Sequence, residues 1–511
     1  DPDLYRRTWT LPLVFSPRDP TALYFGNQKI WRTRDGGAHW DAISPDLTRE
    51  NPGVPANLDA VAAANNQGPD PRRGVVYAIA PSPLADGLVW AGTDDGRIWR
   101  TQDDGAHWND VTPAALGAWS KVGMIEPSHS DAGTAYAAID RHRLDDRRPY
   151  VYRTRDAGKS WQLVVAGIRD GDFVNAVRED PKRRGLLYAA TELGVYVSFD
   201  DGDRWQSLQQ NLPRTSVRDI DVHGDDLAIA THGRGFWIMD DIAPLRQFDA
   251  KAIRPETRLF APSAATRYRV AAFTGTPLPK DEPMAANPRA GAHLDYILAS
   301  APQKPLVLTI RDAAGRLVRR YSSADAAPKV DLATINHAPE WSEPPSMLAA
   351  TPGMHRFVWP LRYAAHSGGA YADGVWAPPG VYAVELAVDG RTLRQTLTVA
   401  PDPRLDLPAA AYAQEFALAR QVEALQVRLE AATREAGALR KATAERRAAA
   451  GGDVAAALDR FAARLADVSG ARAAPNPFNA WSFPPQDTHT LAFVAQALGE
   501  LMGAVDGADA A

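Results

Sequence analysis

Through the first 245 residues, short runs of β-branched and aromatic residues alternate with polar positions and recur in sets of four, punctuated by Gly, Pro and Asp. The pattern predicts strands at 11–16, 22–26, 29–34 and 39–43, then at 75–80, 88–92, 97–102 and 107–111. A third set falls at 121–125, 134–139, 150–155 and 160–165, and a fourth at 173–178, 186–191, 194–199 and 204–208. A fifth, shorter set covers 217–222, 227–231 and 235–239. Residues 246–292 are a Pro- and Ala-rich connector with little periodicity, after which alternation returns at 294–299, 305–312, 317–321, 353–360, 380–388 and 392–399. Beyond residue 408 the period becomes helical, with Phe416, Leu418, Val422, Leu425, Val427 and Leu429 in a run rich in Ala, Glu and Arg. Gly451 and Gly452 break that run; further helices are expected at 454–468 and 488–505, with a Pro-rich loop at 471–487 between them.

The predicted class is mostly β. Residues 1–245 form a β-propeller portion of about five blades, 246–292 a connector, 293–402 an Ig/fibronectin-like β-sandwich and 408–505 a helical hairpin or three-helix tail.

One short motif, Thr/Ser-x-Asp-x-Gly-x-x-Trp, sits between the third and fourth strands of four sets. Its copies are Thr33, Asp35, Gly37 and Trp40; Thr101, Asp103, Gly105 and Trp108; Thr154, Asp156, Gly158 and Trp161; and Ser198, Asp200, Gly202 and Trp205. The starts lie 68, 53 and 44 residues apart, a spacing that suits propeller blades. The Asp and Thr/Ser oxygens can accept backbone N–H groups, Gly tolerates positive φ, and the ring closes the turn by packing into the blade. Four equivalent copies cannot all be one active site, so the box is read as structural.

The chain has 511 residues, a formal net charge of −5 and no Cys. Neither disulfides nor Cys-ligated metals are possible, and nothing points to a polyanion such as nucleic acid. No apolar run approaches a membrane span. The eleven His show no metal-ligand spacing, and no phosphate loop or nucleophile elbow is present, so neither metal nor cofactor is expected. The chain opens on Asp1-Pro-Asp and enters a strand almost at once, without a signal peptide. Five blades also make an awkward start, so the expectation is a piece lacking an N-terminal propeller half.

Gly92-Thr-Asp-Asp-Gly96, Ile125-Glu-Pro127, Val177-Arg-Glu-Asp-Pro181, Tyr196-Val-Ser-Phe-Asp-Asp-Gly202 and Ala230-Thr-His-Gly-Arg-Gly-Phe-Trp237, followed by Asp240 and Asp241, resemble the bacterial Asp-box (BNR) repeat family. Its members are labelled glycosyl hydrolase-like or sortilin-like propeller proteins. The resemblance covers most of the chain. It implies a periplasmic or secreted protein, about twice this length in full, with further blades ahead of the first residue. The propellers also resemble those of xyloglucan-active glycosidases and sortilin-type receptors. An extracellular glycan or peptide ligand is implied.

Candidate chemistry comes from outside the boxes. The acids Asp94, Asp95, Glu126, Glu192 and Asp219 are candidates for catalysis, with Glu179 and Asp221 beside them; Arg178, His232 and Arg234 are candidates for ligand binding. A glycosidase needs two carboxyl groups about 5 Å apart for retention or about 6.5–9.5 Å for inversion, one with a raised pKa. The sequence supplies acids but does not pair them. Asp94 and Asp95 precede Gly96 and also read as a turn; Arg178 also reads as a bridge between blades; the Thr231–Gly235 stretch also reads as structural closure. Two insertions, at 51–73 and 141–149, are long enough to carry function. The leading reading is an exported carbohydrate-active propeller protein, a glycoside hydrolase using paired Asp/Glu, and the alternative is a non-catalytic, sortilin-like scaffold for peptide or protein ligands. A third makes the helical tail the contact within a larger assembly.

Overall fold

The computed structural model describes residues 5–65, 71–248, 256–269, 287–328, 344–367, 369–470 and 489–506. The chain divides into two compact units, Asp1–Ile253 and Arg254–Ala511.

In the first unit each predicted set folds as one antiparallel meander, four of four strands and a fifth of three. The first strands are Leu13–Phe15, Val76–Pro81, Lys121–Pro127, Val174–Glu179 and Val217–His223, and they contact one another in chain order. These are the inner strands of successive blades, and the arrangement is that of a β-propeller. The apolar core lies between blades rather than inside them. Ile30 packs with Val76 and Val89, Ile98 with Val122 and Ile125, Val151 with Val174 and Val177, and Val195 with Val217 and Ile220. Each internal blade is therefore covered on both faces, which explains its apolar character throughout. Close approach also dictates Gly92, where a Cβ would meet Val122 Cγ1 at 2.3 Å.

The boxes repeat one hydrogen-bond pattern. Thr101 Oγ1 donates to Asp103 Oδ1 at 2.9 Å and accepts the Gly105 N–H at 3.1 Å, while Asp103 Oδ1 accepts the His107 N–H at 2.9 Å. The turns at Asp35, Asp156 and Asp200 match it. These donors hold Asp103 and Asp156 down to about 2 and Asp35 lower still; the backbone bond from His39 or His107 leads for Asp35 and Asp103, and the Ser160 hydroxyl leads for Asp156. The box Trp rings link neighbouring blades. Trp108, Trp161 and Trp205 donate their indole N–H to the carbonyls of Ile43, Val111 and Val164 in the preceding blade, at 2.8, 2.7 and 2.9 Å.

The fourth strands are shorter than predicted, two residues each at Asp41–Ala42, Asn109–Asp110, Gln162–Leu163 and Gln206–Ser207, because the box turn consumes the residues before them. Blade five has no box, yet its chain keeps the same register. Ile242 N–H donates to Asp225 O at 2.7 Å, as Asp201 N–H does to Gly185 O at 2.8 Å in blade four. Arg246 stands where the box Trp would be and pairs with Asp180 (2.8 Å) and Asp225. No fourth strand follows among the described residues.

The second unit is built on two facing sheets. Three strands, Arg258–Leu259, Ala292–Leu298 and Gly353–Trp359, form one sheet; Ala265–Arg267, Arg391–Pro401, Gly380–Val388, Val307–Arg311 and Leu317–Ser322 form the other. Leu294, Tyr296, Phe357, Ile310, Tyr382 and Leu397 share the core between them. The strand predictions for 293–402 match these elements to within about two residues, apart from the small hairpin of Arg362–Ala364 and Asp373–Trp376, which the pattern does not show. Two strands of these sheets, Arg258–Leu259 and Ala265–Arg267, lie inside the expected connector and a third begins at its last residue, Ala292; connector residues 249–255 and 270–286 lie outside the described residues. The helices are Ala409–Ala448, Gly452–Ser469 and Leu491–Val505, with mutual contacts. The predicted loop at 471–487 lies outside the described residues.

Candidate functional site

The hairpins sort the candidate residues onto two faces of the first unit. At the near face the inner strands begin; second-to-third strand turns and blade-to-blade connections lie there. At the far face the inner strands end, and the box turns lie at its rim.

At the far face the inner strand ends of all five blades converge on a cavity of about 260 Å³, lined by Phe15, Ile79, Glu126, His129, Arg178 and Asp221 among others. Arg178 joins three blades. Its Nη1 lies 3.1 Å from Glu126 Oε2, its Nη2 3.5 Å from Asp219 Oδ1, and its Nε donates to Ile220 O at 2.9 Å. Burial opposes the charge, but Glu126 and Asp219 outweigh it and the guanidinium pKa is raised. Glu126 Oε1 also accepts the Glu179 N–H at 3.2 Å and lies 3.3 Å from His129 Nε2. Glu179 accepts the N–H groups of His129 at 2.6 Å and Gly185 at 3.4 Å. The hydrogen bond to Glu126 raises the His129 imidazole above its ordinary range. The structure thus brings Glu126, Arg178, Glu179 and Asp219 together, and both glutamates are buried with their oxygens engaged. His129 is a member that sequence reasoning missed. The signal lay in its place, two residues past an inner strand whose end already held a candidate acid.

The other candidates lie at the near face. Asp94 and Asp95 occupy the second-to-third strand turn of blade two. Asp95 is buried, accepts the Thr93 hydroxyl at 2.5 Å and the Arg49 N–H at 2.8 Å, and so anchors the connection from blade one. Asp94 accepts the Val75 N–H at 2.7 Å. Burial, reinforced by the Asp95 charge, pushes its carboxyl up to about 6 against the pull of Val75 and Arg143. Glu192 accepts the Ser216 hydroxyl at 2.7 Å and lies 3.7 Å from Arg218 Nη2. His232 and Arg234 are exposed in the corresponding turn of blade five.

The two insertions meet at this same face. Asn57 Nδ2 donates to Arg143 O at 2.8 Å and to Asp145 Oδ2 at 3.0 Å. The first insertion carries a short helix, Ala60–Asn65, and its residues 66–70 lie outside the described residues. The second is held from beneath: buried Asp140 accepts the His142 N–H at 3.0 Å, and the His142 ring stacks on Phe173 at 4.9 Å. Lys121 lies 3.7 Å from Asp140 with its ammonium 4.2 Å above the Tyr77 ring. Arg143, Asp145, Arg147 and Arg148 remain exposed on the rim. Among the described residues no cluster of three or more His, Asp or Glu could hold a metal ion, and no helix is long and apolar enough to cross a membrane.

No family model matches the chain, and no curated protein matches it. Among solved structures it is similar to an ancestral GH74 enzyme, at 15% identity and a TM-score of 0.35, over 77% of this chain and 47% of that one. It therefore spans just under half the length of that structure. It is similar to the GH74 xyloglucanase from Xanthomonas campestris at 15% identity and a TM-score of 0.31, over 77% of this chain and 80% of that one. YCF48 from Cyanidioschyzon merolae matches at 12% identity and a TM-score of 0.21, over 46% of this chain and 98% of that one.

Proposed function

We propose that this chain is an exported, non-catalytic propeller scaffold that holds a peptide or protein ligand on its near face. The observation that carries this reading is the state of the acids in the far-face cavity. Glu126 and Glu179 each accept backbone N–H groups, and Glu126 is further engaged by Arg178 and His129. Carboxylates committed to joining blades are poor candidates for a general acid and its partner, which must be poised toward a substrate. The near face has the opposite character. A rigid scaffold presents two insertions braced against each other, with Arg143, Asp145, Arg147 and Arg148 exposed, a mixed-charge rim suited to a polar polypeptide.

The test is binding of the full chain to a randomised peptide array. Selected peptides are expected, and Arg143→Glu combined with Arg148→Glu is expected to weaken their binding at least about tenfold. Binding unaltered by that double charge reversal would exclude the near-face rim.

A second reading, glycoside hydrolysis, is favoured by Asp94, whose pKa of about 6 suits a general acid. It predicts reducing ends released from a polysaccharide by the native chain and not by Asp94→Asn. That result would displace the scaffold reading.

A further inference from the structure

We infer that His129 is a pH-sensitive latch: charged, it ties the first turn of blade three to blade four at the far-face cavity, and neutral, it lets that turn go. The first-to-second strand turns of four blades are built alike. Ser16, Ser82, Ser128 and Asp180 donate their N–H groups to the carbonyls of Ala22, Leu88, Thr134 and Leu186, at 2.9, 2.9, 3.0 and 2.8 Å. Their side-chain oxygens accept the N–H groups of Arg18, Leu84, Ser130 and Lys182, at 3.2, 3.1, 3.1 and 2.8 Å. The residue between is Pro17, Pro83, His129 or Pro181, and all four line the cavity. Proline has neither an N–H nor a polar side chain. His129 has both and uses both. Its N–H donates to Glu179 Oε2 at 2.6 Å, and its Nε2 lies 3.3 Å from Glu126 Oε1. The Ser130 hydroxyl, next in the turn, donates to Glu179 Oε1 at 3.5 Å.

Charge makes this tie depend on pH. Glu126 and Glu179 are 5% and 2% exposed. Arg178 is shared between Glu126 and Asp219, and the Asp221 charge acts on it as well. Glu179 has no cation within ion-pair distance among the described residues. Blades one and two line the cavity with apolar residues alone. Two buried carboxylates thus face one shared guanidinium, and the imidazolium supplies the second positive charge. Its hydrogen bond to Glu126 outweighs burial and the repulsion of Arg178, so the folded imidazole keeps its proton above the ordinary value of about 6.5. The stabilisation is therefore fully present below about pH 6.5 and is lost as pH rises through the folded value.

Tests on the full chain read the latch in three ways. Ring-carbon NMR of the histidines, with the His129 signal identified by its loss in His129→Gln, is expected to show His129 titrating above about 6.5. The His129 amide, which donates to Glu179, is expected to lose protection from hydrogen exchange across that titration, after correction for the pH dependence of exchange itself. This measurement needs no variant. His129→Gln keeps the backbone donor and a neutral side-chain donor. It is expected to melt below the native chain at about pH 6 and level with it once the native imidazole is neutral. Asp94 titrates nearby but is common to both proteins, so the difference between them is unaffected. Titration at or below about 6.5, amide protection indifferent to the titration, or an equal melting penalty at both ends would each overturn the inference.

Discussion

At the scale of single residues, the acids of this chain divide by what surrounds them. Box aspartates are stabilised as anions by donors two to four residues away, whereas Asp94 is pressed toward its neutral form by burial. Their linkage to stability has opposite signs. For Asp103 and Asp156 the folded pKa lies below 3.8, so their contribution is present above that value and is lost as pH falls toward about 2. The propeller unit is therefore expected to lose stability over that window, read as a falling melting temperature by far-ultraviolet circular dichroism. For Asp94 the folded pKa of about 6 lies above 3.8, so the folded state is favoured below the lower value and penalised as pH rises through the higher. Asp94→Asn, which keeps an acceptor for Val75, should raise the melting temperature at about pH 7 and change it little at about pH 4. Equal shifts at both values would show that burial does not govern this group. The Asp boxes were legible from sequence because turn chemistry is local. The environment of Asp94 was not, since Val75 and Arg143 reach it from other turns.

At the scale of elements, the box hairpin joins blades as well as turning a chain. Trp205 is 4% exposed and donates across the blade junction, while Trp40 is 37% exposed and does not. Trp205→Ala should cost about 3–5 kcal/mol in denaturant unfolding, and Trp40→Ala roughly 1 kcal/mol, although the two motifs read alike in sequence. Equal losses would mean that the ring acts within its own hairpin. The degenerate fifth box belongs to this scale as well. Its register survives in Ile242 and its Trp position is filled by Arg246, which finds acids in blades four and five. A pattern search for Trp passes over that segment because the constraint is on backbone register, which many side chains satisfy.

For the molecule as a whole, two compact units carry separate cores, one between blades and one between the sandwich sheets. Residues 1–253 and 254–511, made separately, are each expected to melt cooperatively near the corresponding transition of the full chain. Loss of cooperativity in either piece would show that its core depends on the other. The sequence by itself determined the strand sets, the four boxes, the switch from β to helical period and the two insertions, because periodicity and turn chemistry act over a few residues. Tertiary structure alone decided which acids meet. Glu126, Arg178 and Asp219 belong to three blades, and only the side-by-side packing of inner strands brings them within ion-pair distance. It also decided that Asp94, Glu192, His232 and Arg234 share the opposite face with both insertions, because the direction of each strand sets the end at which its turn emerges.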